Sequence, residues 1–307
     1  MRYPVVAVLL ALGLAAGCGG PAASGGTTGG RLAVVTAFYP LQFLSERIGG
    51  DAVAVTDVTK PGAEPHDIEL NPRQVGQISD AGLVVYLRGF QPAVDEAVAQ
   101  EAPVRAFDAA SAVPLLPRTA EPGGGEPGDR NTRSAGWDPH LWLDPVRFAT
   151  VADRLAARLG QADPAHAADY TDRARALHAE LDALDSEYAR RLRTCARREL
   201  VTSHTAFAYL AQRYGLTQVG IAGISPETEP SPRRLAEVAA EAEATGTTTI
   251  FFETLVSPKV AETLAREVGA RTDVLDPLEG LTRPDRDYLS VMRDNLAALT
   301  RALGCTS

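Results

Sequence analysis

From residue 32 onward, short runs of apolar and β-branched residues alternate with longer segments whose apolar positions recur every three or four residues. Leu32–Thr36 (LAVVT), Val53–Val58 (VAVTDV) and Leu83–Leu87 (LVVYL) have the length and composition of strands. Helices are expected between and after them, near Pro40–Gly49, Asn71–Asp80 and Pro92–Gln100. The alternation resumes with strand-like Glu199–Ser203, Thr247–Glu253 and Thr272–Leu275. Helical stretches near Ala206–Tyr214, Pro232–Thr245 and Pro258–Val268 separate these, and a last one runs near Asp285–Leu303. Strand and helix in alternation imply parallel sheets with helices on both faces.

Between the two rounds, Val146–Leu159 is apolar-periodic and Asp163-Pro164 marks a new helix start. A carboxylate at the N-cap accepts free backbone N–H groups, and proline in the first turn loses no needed donor. From there to Thr194 the chain has no Gly and no further Pro. One helix of roughly 30 residues, about 45 Å long, is expected. The predicted architecture is therefore α/β: two parallel-sheet lobes, residues 31–160 and 195–307, joined by one long α-helix over residues 161–194. Residues 117–136 are rich in Pro and Gly without apolar period, and read as an exposed loop.

The first thirty residues stand apart from this pattern. Arg2 precedes an apolar run, Val5 to Ala16, of signal-peptide length and too short to span a bilayer. The run ends in LAAGC, with small residues before Cys18. This resembles the lipobox of bacterial lipoproteins, in which the Cys is lipidated and becomes the new N-terminus. Ala15 departs from the branched apolar residue usual at its position, so plain secretory cleavage is the alternative. Residues 1–17 are read as signal peptide and residues 18–30, which lack apolar periodicity, as a flexible tether holding the chain to the extracytoplasmic side of the membrane.

At 307 residues the chain is long enough for two lobes, and its 45% hydrophobic and 22% charged content is ordinary for a globular protein. The net charge of −9 argues against a nucleic-acid partner, because phosphate binding needs surplus Lys and Arg. Of three cysteines, Cys195 and Cys305 remain once Cys18 is set aside. Export to an oxidising compartment predicts a disulfide between them, with two free thiols as the alternative.

The candidate chemistry lies in five histidines. His166 and His178 sit on the polar long helix and read as surface residues. His66 in PGAEPHDIELNP, His140 in WDPHLWLDP and His204 after ELVTS each fall in a loop between elements. Asp276 and Glu279 follow the strand TDVL. Ligands of open α/β sheets bind beyond the carboxyl ends of strands, so two facing lobes would gather these residues in an interlobe cleft. Three imidazoles and a carboxylate can complete a tetrahedral zinc shell. Glu64, Asp67, Asp138 and Asp144 could orient ring N–H groups. Trp137 and Trp142 flank His140 and could shield an ion; Phe38 reads as core packing. By spacing alone, widely separated histidines are equally compatible with satisfied loop or core positions.

The surrounding segments narrow this choice. AFYPLQFLSERIGGD, PGAEPHDIELNPRQV, DPHLWLDP, LVTSHTAFAYLAQRYGL, PETEPSPRRLAEV, IFFETLVSPKVAETLAREVGA and VLDPLEGL occur in this order over nearly the whole mature chain. In these the chain resembles the zinc- and manganese-uptake family of ABC-importer solute-binding proteins. The resemblance implies that His66, His140 and His204 bind the metal, that Glu279 completes the shell, and that Asp276 or Glu64 is the alternative fourth ligand. It implies Zn2+ as transported ligand, an ABC permease as partner, no catalytic activity and a monomer. Manganese-type members tend to carry a carboxylate where this chain has His204, and three nitrogens suit zinc better than Mn2+. Residues 117–136 contain no His, unlike the His-rich loop of many zinc-type members. A manganese-binding protein, a surface adhesin and a zinc hydrolase are the alternative functions; no HExxH, GxSxG or GxxxxGK motif supports the last.

Overall fold

The structure is a computed structural model, which describes residues 26–118 and 136–306. The signal-peptide and lipidation readings, and most of the predicted loop, lie outside those residues. The first sheet contains β1 (Thr27–Thr28), β2 (Arg31–Thr36), β3 (Val53–Asp57), β4 (Leu83–Tyr86) and β5 (Ala106–Asp108). Its parallel strands lie in the order β3-β2-β4-β5, and β1 pairs antiparallel with the start of β2. The second sheet is fully parallel, β7 (Thr217–Gly220), β6 (Glu199–Thr202), β8 (Thr249–Phe252) and β9 (Arg271–Val274) in that order. Thus both lobes are α/β as expected, and in each the strand order reverses beside its first long parallel strand.

The helices form where their caps and apolar stripes place them. They are α1 (Tyr39–Gly49), α2 (Pro72–Asp80), α3 (Pro92–Glu101), α4 (Pro145–Ala162), α5 (Ala167–Arg191), α6 (Ala208–Tyr214), α7 (Pro232–Ala244), α8 (Lys259–Glu267) and α9 (Tyr288–Leu303). Asn71 closes a full capping box with Gln74 at the start of α2, and Asp287 does the same with Ser290 for α9. In α5, Tyr170, Ala174, Leu177, Leu181, Leu184 and Tyr188 are buried, a four-three spacing that keeps one stripe facing inward.

Three expectations need correction. Thr27 and Thr28 belong to a strand, so the tether reading fails from Gly26 onward, where backbone bonds join the chain to the sheet. The long helix does not start at Pro164: residues 164–166 form a 3-10 turn, and α5 runs 25 residues, about 37 Å. Asp163 does not cap it; its carboxylate instead accepts the Tyr170 hydroxyl at 2.7 Å and faces His166 Nδ1 at 2.7 Å. Nor is α5 a lone connector. It packs along α4 and contacts α1 and α9, with Arg47 on α1 bonded to Glu180 and Tyr188 donating to the Met292 carbonyl on α9. One continuous apolar core therefore runs from β2 and β4 through α4 and α5 to Phe207, Tyr209 and α9. A smaller core fills the outer side of the second sheet around Val201, Val238 and Ile250.

Cys195 and Cys305 are joined by a disulfide. Backbone bonds from Ala196 and Arg197 to Gly304 and Leu303, and from Thr306 to Thr194, hold the same two segments together. The second lobe is closed where its chain enters and leaves.

Candidate metal centre

Each of the four candidate residues emerges from a connection at the carboxyl end of a strand, for a local reason. His66 lies in the connection between β3 and α2. The Glu64 carboxylate accepts the His66 backbone N–H at 3.0 and 3.1 Å, which folds the chain back and turns the ring inward. His140 precedes a one-turn 3-10 helix, Leu141–Leu143, and its backbone N–H donates to Asp138 Oδ1 at 2.9 Å. Asp138 is itself held by the Tyr209 hydroxyl, which donates to its carbonyl at 2.7 Å. His204 follows β6, with its carbonyl accepting from Thr202 Oγ1 at 2.7 Å and Gln218 Nε2 at 3.0 Å.

Glu279 depends on a tightly constrained turn. Leu278 takes φ +60°, a left-handed conformation that costs a leucine of order 1–3 kcal/mol, and the surroundings hold it there. Asp276 Oδ1 accepts the Leu278 N–H at 2.8 Å, Asp276 Oδ2 accepts Thr254 Oγ1 at 3.1 Å, and Trp142 Nε1 donates to the Pro277 carbonyl at 2.7 Å. Asp276, weighed as a fourth ligand, is therefore engaged in building the turn that presents Glu279.

The three His Nε2 atoms converge on one oxygen. Glu279 Oε1 lies 3.3 Å from His66 Nε2, 3.0 Å from His140 Nε2 and 3.2 Å from His204 Nε2. All four residues are buried, and their candidate ligand atoms lie within 4.8 Å of one another. Glu64 stands further off, 4.0 Å from His66 Nε2. A tetrahedral zinc shell with bonds of about 2.0–2.1 Å has ligand-to-ligand edges of about 3.3–3.4 Å, so the nitrogen–oxygen spacings already approach that size. Glu279 Oε2 is buried without a hydrogen-bond partner, an unmet acceptor that a bound cation would satisfy.

Two carboxylates orient the rings. Asp138 Oδ1 accepts His140 Nδ1–H at 2.7 Å, and Glu253 Oε1 accepts His204 Nδ1–H at 2.8 Å. Each bond selects the tautomer that leaves Nε2 free to ligate. Glu253 was not among the predicted carboxylates. It ends the run TTTIFFE beside β6, at the point where the strand order reverses, and that position was the available signal. Asp144, by contrast, caps α4 and pairs with Arg147 and Arg213, and among the described residues Asp67 forms no ion pair with a ring. Trp142 is buried against His140, Phe38 and Phe90, while Trp137 is 48% exposed. Phe90, also overlooked, meets the His66 ring edge-on at 4.5 Å. His166 and His178 lie on the surface against Asp163 and Asp153.

The electrostatics of the metal-free cluster follow from these contacts. Burial lowers His66 below its ordinary value. For His204 burial also acts downward, but Glu253 and Glu279 outweigh it and raise the ring to about 10. Burial is likewise outweighed at His140, which Asp138 and Glu279 raise. Burial acts upward on Glu279, yet the charges on His204 and His66 hold it well below the usual carboxylate range. Burial pushes Glu64 up to about 7. Zinc binding would therefore compete with protons on His140 and His204 rather than on His66. Replacing Glu253 by Gln should weaken zinc binding about 10- to 100-fold in a chelator-competition titration. Unchanged affinity would remove Glu253 from the site.

The model of the family described as zinc-uptake complex component A, periplasmic, matches residues 34–302. The high-affinity zinc uptake system protein ZnuA of Bacillus subtilis is 35% identical over 300 residues, covering 94% of each chain. The zinc-binding lipoprotein AdcA of Streptococcus pneumoniae is 36% identical over 282 residues, 88% of this chain but 55% of that longer protein. Among solved structures, the Zn(II)-bound form of an AdcAII variant of Streptococcus pneumoniae superposes with TM-score 0.78 at 30% identity, covering 90% of this chain and all of that one.

Proposed function

The chain belongs to the zinc-uptake complex component A family, and from that premise we propose that it captures one Zn2+ outside the cytoplasm and delivers it to an ABC importer. The observation that carries this reading is the convergence of three imidazole Nε2 atoms on the buried Glu279 carboxylate. A nitrogen-rich set of this kind favours zinc over the oxygen-preferring Mn2+. His66, His140, His204 and Glu279 are the proposed ligands, and Glu64 stands outside the shell. Four protein donors complete a tetrahedron, and a site without an open position is suited to holding cargo rather than activating water.

The proposed partners are the importer's permease and the membrane, reached through lipid on Cys18. The LAAGC segment supports the anchor, and the first strand begins within ten residues of it, at Thr27. The protein is proposed to act as a monomer. Replacing Cys18 by Ala should move the protein from the membrane fraction to the soluble extracytoplasmic fraction. Unaltered membrane association of the variant would count against the anchor. The ligand set is tested by zinc titration of alanine variants, with the magnitudes derived in the Discussion.

A further inference from the structure

Beyond the residues that could touch the ion, the support of His204 extends one step further. The His204 backbone is fixed by Thr202 and Gln218, so the remaining freedom is in its ring. Glu253 restrains the ring through Nδ1 at 2.8 Å. The same Glu253 Oε1 accepts the Ser203 hydroxyl at 2.7 Å, while Glu253 Oε2 is buried without a partner. One serine hydroxyl thus shares the oxygen that orients the ring. Ser203 also lines a cavity of about 310 Å3, together with Ile221, Ala222, Glu227 and Leu255. The serine stands between that space and the buried carboxylate.

We propose that Ser203 is a positioning residue for the metal site, holding Glu253 in the orientation that turns His204 Nε2 toward the ion; the inference rests on the zinc reading above. The Ser203 side chain does not touch the ion. Its hydroxyl selects which carboxylate oxygen faces the ring. Without it, Glu253 can rotate about its last torsion or take up water from the cavity, and the His204 ring loses its fixed direction. Outer partners of metal-bound histidines act through orientation in this way.

The experiment is a zinc titration by chelator competition on wild type, Ser203→Ala, Ser203→Thr, Glu253→Gln, the Ser203→Ala/Glu253→Gln double variant and His204→Ala. Ser203→Ala should weaken zinc about tenfold, at the low end for such partners. Ser203→Thr keeps the hydroxyl and should stay within about twofold to threefold of wild type. In the Glu253→Gln background, Ser203→Ala should add less than about twofold, because the path it acts through is already cut. The visible spectrum of the Co2+-loaded protein should change in Ser203→Ala and return in Ser203→Thr. Full additivity of the two substitutions, or wild-type affinity in Ser203→Ala, overturns the inference. A His204→Ala variant with wild-type zinc affinity overturns the zinc reading and this inference together. A site that depends on His204 but ignores Ser203 overturns this inference alone.

Discussion

Replacing His140 by Ala is expected to weaken zinc binding by two to three decades, and His66→Ala and His204→Ala should do the same. A structural zinc site contributes roughly 10–16 kcal/mol, so one of four bonds represents about 3–4 kcal/mol. All three rings are buried, and those of His140 and His204 are aligned by neighbouring carboxylates, so each nitrogen is held in place for the ion. Glu279→Ala should cost less, about tenfold, since water can take the fourth position. Calorimetric titration would establish the ranking. Three histidine variants with wild-type affinity would place the site elsewhere, and a silent Glu279→Ala beside a damaging Glu64→Ala would exchange the fourth ligand.

The second large effect is on pH. His204 is raised to about 10 and His140 is raised in the same direction, so zinc competes with protons on these rings. Zinc needs the neutral imidazole and must expel them. Affinity therefore rises with pH and falls in acid, by about tenfold per unit for each proton displaced. Between pH 6 and 8 the change should be at least about a hundredfold. His66, held below its ordinary value, adds little to this slope above neutrality. Titrations in buffers of different ionisation enthalpy would report the released protons directly. A pH-independent affinity with no proton release would contradict the charge assignment.

How much of this was legible in the sequence differs by residue. The strands β2, β4, β6 and β8 announced themselves because they are largely buried and read as apolar runs, and β3, an edge strand, did so through its alternating valines. The strand β5 was missed because it has only three residues, and β7 because TQVG carries two polar residues among four. Strand β1 is two threonines paired by backbone alone, which no apolar pattern can betray. The four site residues were legible as loop residues after strands, and the ordered family-like segments singled them out. Their orienting groups were only half legible. Asp138 lies two residues from His140, within reach of inspection, whereas Glu253 meets His204 across neighbouring strands 49 residues apart. Asp144 looked equivalent to Asp138 but precedes a proline at a helix start, and capping claimed it. The left-handed Leu278 that aims Glu279 has no sequence signature, because leucine is an unusual residue there.

The central claim is that these four side chains select zinc, and metal analysis tests it most directly. Protein purified without a histidine tag should be incubated with equal zinc and manganese, freed of loose metal, and weighed intact by native mass spectrometry. One zinc per chain with manganese excluded is the predicted result, and the His140→Ala protein should lose that zinc under the same treatment. Manganese retained in preference to zinc, or zinc held equally well by His140→Ala, would contradict the account.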